Sequence, residues 1–156
     1  MAVLVIMRGL PGAGKTTRAR AWVAEDHTSR ARVNRDDLRA MMHAGVWRGS
    51  ETEGQILAAR GALITALLRG GVDVVCDDTN LPAAAVRDLA KLGAASAATF
   101  EVWDMTDVPL DICVERDRQR ERPVGERRIA DLYRRHLAGR GYPLPLPRLP
   151  RMCTVE

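Results

Sequence analysis

The sequence predicts an α/β fold: a parallel β-sheet of four to five strands, helices on both faces, and a helical lid. Three observations carry that prediction. Residues 2–7 and 72–76 are short apolar runs rich in valine, the pattern of strands buried on both faces of a parallel sheet. Strand-like and helix-like segments alternate along the chain, as such a sheet requires. A break rich in glycine, residues 9–14, separates the first strand from a helix. With 156 residues the chain has the size of one domain, 1–156, that can bury a core without disulfides or a structural metal.

The elements follow in order. After the strand at 2–7, residues 15–25 form a helix. A short strand at 32–34 leads through polar Arg35, Asp36 and Asp37 into a helix ending near Ala44. Residues 51–68 form a long helix with apolar spacing at Ile56, Leu57, Leu63, Ile64, Leu67 and Leu68, stopped by Gly70 and Gly71. The strand at 72–76 passes through a polar turn to Pro82, expected at the first position of a helix that ends near Gly93. A strand at 98–103 precedes a helix over 109–120, and Pro123-Val124-Gly125 breaks the chain before a last helix at 126–138. The tail from Gly139 carries four prolines and is expected to be extended, with a short strand at 152–155.

Composition bounds the function. Cys76, Cys113 and Cys153 form no C-x-x-C pair and suit free thiols in a reducing compartment. No apolar run approaches the roughly 18 residues of a membrane span, and the start lacks a signal-peptide layout, so a cytoplasmic protein is expected. The formal charge is +4, and every cation except Lys15 and Lys91 is arginine. Arginines crowd the last third, where acids are interleaved with them. That pattern ordinarily makes solvated helix faces with i,i+4 pairs, although such a face can also hold phosphates. The sequence leaves a homo-oligomer open.

Gly9-Leu10-Pro11-Gly12-Ala13-Gly14-Lys15-Thr16 fits the phosphate-binding pattern G-x-x-x-x-G-K-[ST] in full and lies between a strand and a helix, as the motif requires. Its glycines let the backbone N–H groups of Gly12, Ala13, Gly14, Lys15, Thr16 and Thr17 turn toward phosphate oxygens at a helix N-terminus. Lys15 reaches the β- and γ-phosphates, and the Thr16 hydroxyl is a ligand for Mg²⁺. ATP and Mg²⁺ are therefore the expected cofactors. Phosphoryl transfer needs an acceptor side as well. Val33-Asn34-Arg35-Asp36-Asp37-Leu38-Arg39 follows a short strand, so its polar groups emerge at the carboxyl edge where ligands sit. Asp36 and Arg39 are three apart and share a helix face. A carboxylate there can take a hydroxyl proton while the arginine holds a phosphate. The plainer alternative is that Asp36 or Asp37 caps the helix. Asp77 is either a carboxylate near the metal or a turn-forming residue.

These segments resemble the polynucleotide 5′-hydroxyl kinases typified by phage end-healing enzymes. The resemblance rests on G-L-P-G-A-G-K-T-T at 9–17, V-N-R-D-D-L-R at 33–39, Asp78-Thr79-Asn80-Leu81, and the arginine-bearing segment at 116–124. It implies a P-loop kinase fold acting on RNA or DNA 5′-OH ends. Asp36 would be the general base, Arg39 would contact the acceptor phosphate, and Asp78, Thr79 and Asn80 would lie in the acceptor pocket. A lid arginine would stabilise the γ-phosphate, with Arg120 aligning best and Arg116 second. The lid at 120–125 is shorter than in relatives. Trp47, in the polar stretch 45–50, is a candidate for stacking on an acceptor base, whereas Trp22 and Trp103 suit core packing. Neither Asp78-Thr79-Asn80 nor Asp104-Met105-Thr106-Asp107 has the D-x-D-x-T spacing of a phosphatase, and no N-K-x-D motif supports a GTPase. A small-molecule kinase and a nucleotide-dependent binding module are the rival readings.

Overall fold

The structure, a computed structural model, describes residues 1–149. Its strands are β1 (Val3–Arg8), β2 (Arg30–Val33), β3 (Asp73–Cys76) and β4 (Thr99–Asp104). Its helices are α1 (Lys15–Glu25), α2 (Arg35–His43), α3 (Ser50–Arg69), α4 (Ala83–Ala95), α5 (Leu110–Arg118) and α6 (Glu126–His136). The strands form one parallel sheet in the order β2-β3-β1-β4. The fold class is thus the expected one, with four strands among the described residues. The fifth, at 152–155, lies outside the described residues.

Strand alternation sorts the core onto two faces. Leu4, Ile6, Val74 and Cys76 pack with Leu38, Ile56, Ile64, Leu68, Val86 and Leu89 from α2, α3 and α4. Val5, Met7 and Val75 point the other way, toward Ala19, Trp22 and Trp103. Trp22 and Trp103 meet edge-to-face with centroids 5.8 Å apart, so both serve packing as expected. A third cluster joins Leu10 and Ala13 of the glycine-rich loop to Cys113, Val114 and Ile129 of α5 and α6. The two-helix lid is therefore seated on the loop itself.

Several element ends differ from expectation. Gly93 does not stop α4, which continues to Ala95. A Cβ there would lie 3.5 Å from Leu4 Cδ2, an ordinary van der Waals contact, so packing does not demand glycine at this position. Pro82 is the residue before α4, in an extended conformation, and Pro109 precedes α5 in the same way. α5 stops at Arg118, which puts Arg120 in the connecting turn. The tail from Gly139 contains no regular element through residue 149. It is fastened at Leu144, whose N–H donates to Asp104 Oδ2 (2.8 Å) and whose carbonyl accepts from the buried Arg8 (3.1 Å). Among the described residues no helix is long and apolar enough to cross a membrane.

Candidate active site

The glycine-rich loop closes onto the lid. Gly12 has φ +86°, and a Cβ on it would come 2.2 Å from the Cys113 carbonyl of α5. Only glycine satisfies both demands. Gly14, also in the left-handed region, precedes α1. Lys15 is buried and donates to the carbonyls of Gly9 (2.9 Å) and Leu10 (2.8 Å). Burial pushes its pKa down to about 8; the Asp77 carboxylate opposes that shift and the Arg120 guanidinium adds to it.

A testable pH dependence follows. Phosphates need the charged ammonium, so triphosphate affinity is full well below pH 8, about halved at pH 8, and falls by about fivefold more from 8 to 9 for one group. Binding in that interval takes up a proton. Calorimetry in two buffers of different ionisation enthalpy measures the uptake, and a flat affinity to pH 9.5 would contradict it.

Asp77, at the end of β3, is only 3% exposed. Its Oδ2 accepts from Arg32 at 2.8 Å, while Oδ1 is buried without a hydrogen-bond partner among the described residues. Burial raises its pKa, and the Thr16 hydroxyl, Arg32 and Lys15 pull it back. An orphaned buried carboxylate oxygen beside a P-loop threonine suits a hydrated Mg²⁺ carried in by the phosphates. Among the described residues no group of three or more acidic, histidine or cysteine side chains forms a self-sufficient metal site, so the nucleotide would supply the remaining oxygens.

One cavity of about 230 Å³ is lined by Lys15, Thr16, Asp77, Asp78, Thr79, Arg35, Asp36, Arg120 and Arg128. Donor loop, strand ends, α2 and lid thus meet in one space. The capping alternative for Asp36 and Asp37 is resolved by Asn34, whose Oδ1 accepts from the Asp37 N–H at 2.8 Å. Asp36 is exposed at the cavity edge and receives Arg39 Nη1 at 2.6 Å. Arg39 also binds Glu53 Oε2 of α3 at 2.8 Å, and it does not line the cavity.

Of the remaining residues named from sequence, Asp78, Thr79 and Arg120 line the cavity, whereas Asn80, Arg116, Thr17 and Trp47 do not. Asp78 lines the cavity, but Oδ1 accepts from the Arg35 N–H (2.9 Å) and Oδ2 from the buried Arg60 (2.7 Å). It braces α2 against α3. Asn80, at φ 42°, is buried and donates to the Met7 carbonyl (2.8 Å), tying this turn to β1 outside the cavity lining. Thr79 receives the Gly9 N–H through its carbonyl (3.0 Å). Arg116 lies over the loop, 3.5 Å from the Gly12 carbonyl, and Arg120 sits 3.6 Å from buried Asp117. Thr17 is exposed on the first turn of α1. Trp47 is 67% exposed between α2 and α3. Gly45, in the same connection, faces Arg122 of the lid turn.

Sequence reasoning missed Arg32, Glu53, Arg60, Asp117 and Arg128. None carries a local motif. Asp117, for example, accepts from the Val124 and Gly125 N–H groups (3.1 and 2.8 Å) and so closes the lid turn, a role visible only in three dimensions.

A parallel sheet whose first strand feeds a glycine-rich loop, a helix beginning on Lys15-Thr16, and a two-helix lid over that loop define the P-loop kinase fold. Residues 4–138 match the model of the family described as AAA domain, and the chain belongs to that family. Solved structures share the fold. A chain of the Pnkp1/Rnl/Hen1 RNA repair complex is 24% identical, with a TM-score of 0.70, covering 99% of this chain and 51% of that one. The present chain therefore spans about half that protein's length. The APS kinase CysC of Mycobacterium tuberculosis, in complex with AMPPNP and APS, is 23% identical over 76% of this chain and 69% of its own, with a TM-score of 0.62. A gluconokinase from Sinorhizobium meliloti 1021 is 15% identical over 91% and 79%, with a TM-score of 0.57. Among curated proteins no significant sequence match is found.

Proposed function

We propose that this domain transfers the γ-phosphate of ATP to the 5′-hydroxyl end of RNA or DNA. The observation that carries the reading is Asp36: a carboxylate relieved of capping by Asn34, at the edge of the cavity that holds Lys15. Asp36 takes the proton of the attacking hydroxyl, whose oxygen bonds to the γ-phosphorus as the bond to the β–γ bridging oxygen breaks. Arg39 orients that carboxylate through its 2.6 Å contact. Lys15 and Arg120 face the charge that accumulates on the transferred group, and Arg116 lies over the loop beside the nucleotide. Thr16 and Asp77 would hold Mg²⁺, which neutralises charge on the β- and γ-phosphates.

The resemblance at residues 33–39 and 78–81 supports a polynucleotide acceptor, as does structural likeness to a chain from an RNA repair complex. The small polar cavity, together with likeness to APS kinase and gluconokinase, favours a compact metabolite as the competing acceptor. Labelled ATP offered with a 5′-OH oligonucleotide and a panel of small alcohols separates them. Label is expected on the oligonucleotide. Label confined to a small alcohol would replace this proposal, and none on either would remove the transferase reading.

A further inference from the structure

The cavity contains four cationic side chains, Lys15, Arg35, Arg120 and Arg128, and three are already engaged. Lys15 donates to two loop carbonyls. Arg35 pairs with Glu53 at 3.1 Å and with Asp78 at 3.5 Å. Arg120 faces Asp117 at 3.6 Å. Arg128 has no hydrogen bond or ion pair among the described residues, and the two acids of its own helix are occupied: Glu126 by Arg118 and Asp131 by Arg134. Its mounting is nonetheless firm. The adjacent Ile129 is fully buried in the lid core, and Asp117 holds the backbone at Val124 and Gly125.

Arg39 is in the opposite condition. Asp36 and Glu53 both neutralise it, so a phosphate approaching it would compete with two carboxylates for one positive charge. A guanidinium whose charge is uncompensated at the acceptor cavity is the better anion receptor, since a phosphate there gains charge-assisted, bidentate hydrogen bonds without breaking existing ones. We propose that Arg128 binds the phosphate flanking the acceptor hydroxyl, making it the specificity-determining contact for an acceptor that carries its own phosphodiester. This rests on the polynucleotide reading above.

Two short 5′-OH oligonucleotides test it, one natural and one with a neutral methylphosphonate at the first linkage. Wild-type protein is expected to lose about 10–100-fold in kcat/KM on the neutral acceptor. R128A is expected to be as slow on the natural acceptor as wild type is on the neutral one, and indifferent to the swap. Its KM for ATP should be unchanged, and R128K should restore part of the rate on the natural acceptor only. Arg128 is exposed, so a matching thermal melt shows that R128A folds. An equal loss on both acceptors, or a defect in KM for ATP, would overturn the assignment while leaving the kinase reading intact. If wild type labels neither oligonucleotide, both proposals fall.

Discussion

Asp36→Ala is expected to lower phosphoryl transfer by about 10²–10⁴-fold, the usual contribution of a positioned general base, while nucleotide affinity is retained. Two features make those outcomes separable. Asp36 is exposed and does not cap α2, a task that belongs to Asn34, so truncation removes no structural hydrogen bond except that from Arg39. Arg39 keeps Glu53 as a partner after the change. The loss should therefore appear in single-turnover rates with the fold unperturbed, and Asp36→Asn should be comparably impaired because it keeps the shape but not the basicity. Loss of ATP binding in either variant would make Asp36 a structural residue.

Asp78→Ala should instead act first on stability. The carboxylate is buried, and it holds both the Arg60 guanidinium and the N–H that opens α2. Its removal leaves Arg60 as an unpaired buried cation, which typically costs about 3–5 kcal/mol. In a domain of this size that is a fall in melting temperature on the order of 10 °C. Denaturant unfolding followed by fluorescence measures it. The variant should also lose acceptor-side activity, because α2 carries Asp36. A stable Asp78→Ala protein with only a raised acceptor KM would mean that Asp78 is a direct substrate ligand, as the family resemblance implies. Asp78→Asn, which still accepts from the Arg35 N–H, should fall between the two.

How much of the site was legible depended on sequence distance. The glycine-rich loop was fully legible because its chemistry is local: eight consecutive residues set the turn, the helix N-terminus, the lysine and the hydroxyl. Asp36 and Asp77 were found for a related reason, since Asp77 directly follows a short strand and Asp36 lies in the first turn of the helix just after one, so both emerge at the ligand-binding edge. Their roles were not legible. Capping against catalysis at Asp36 turned on which side chain reaches the Asp37 N–H, and Asn34 does so. The end of α5 at Arg118, two residues short of the expected one, reflects a turn held by Asp117 through backbone N–H groups seven and eight residues away.

What the sequence determined by itself was the order of strands and helices, the donor loop and the strand ends on which acceptor chemistry is built. Short-range forces govern all of these: alternation of apolar residues, glycine conformation and helix propensity. The tertiary structure alone decided how charges are partnered. Glu53 reaches back 14 residues to Arg39 and 18 to Arg35, Arg60 lies 18 residues before Asp78, and Arg128 enters a cavity whose loop begins more than a hundred residues earlier. Electrostatic partnership follows distance in space, and a linear pattern carries no record of which arginine is left without a carboxylate.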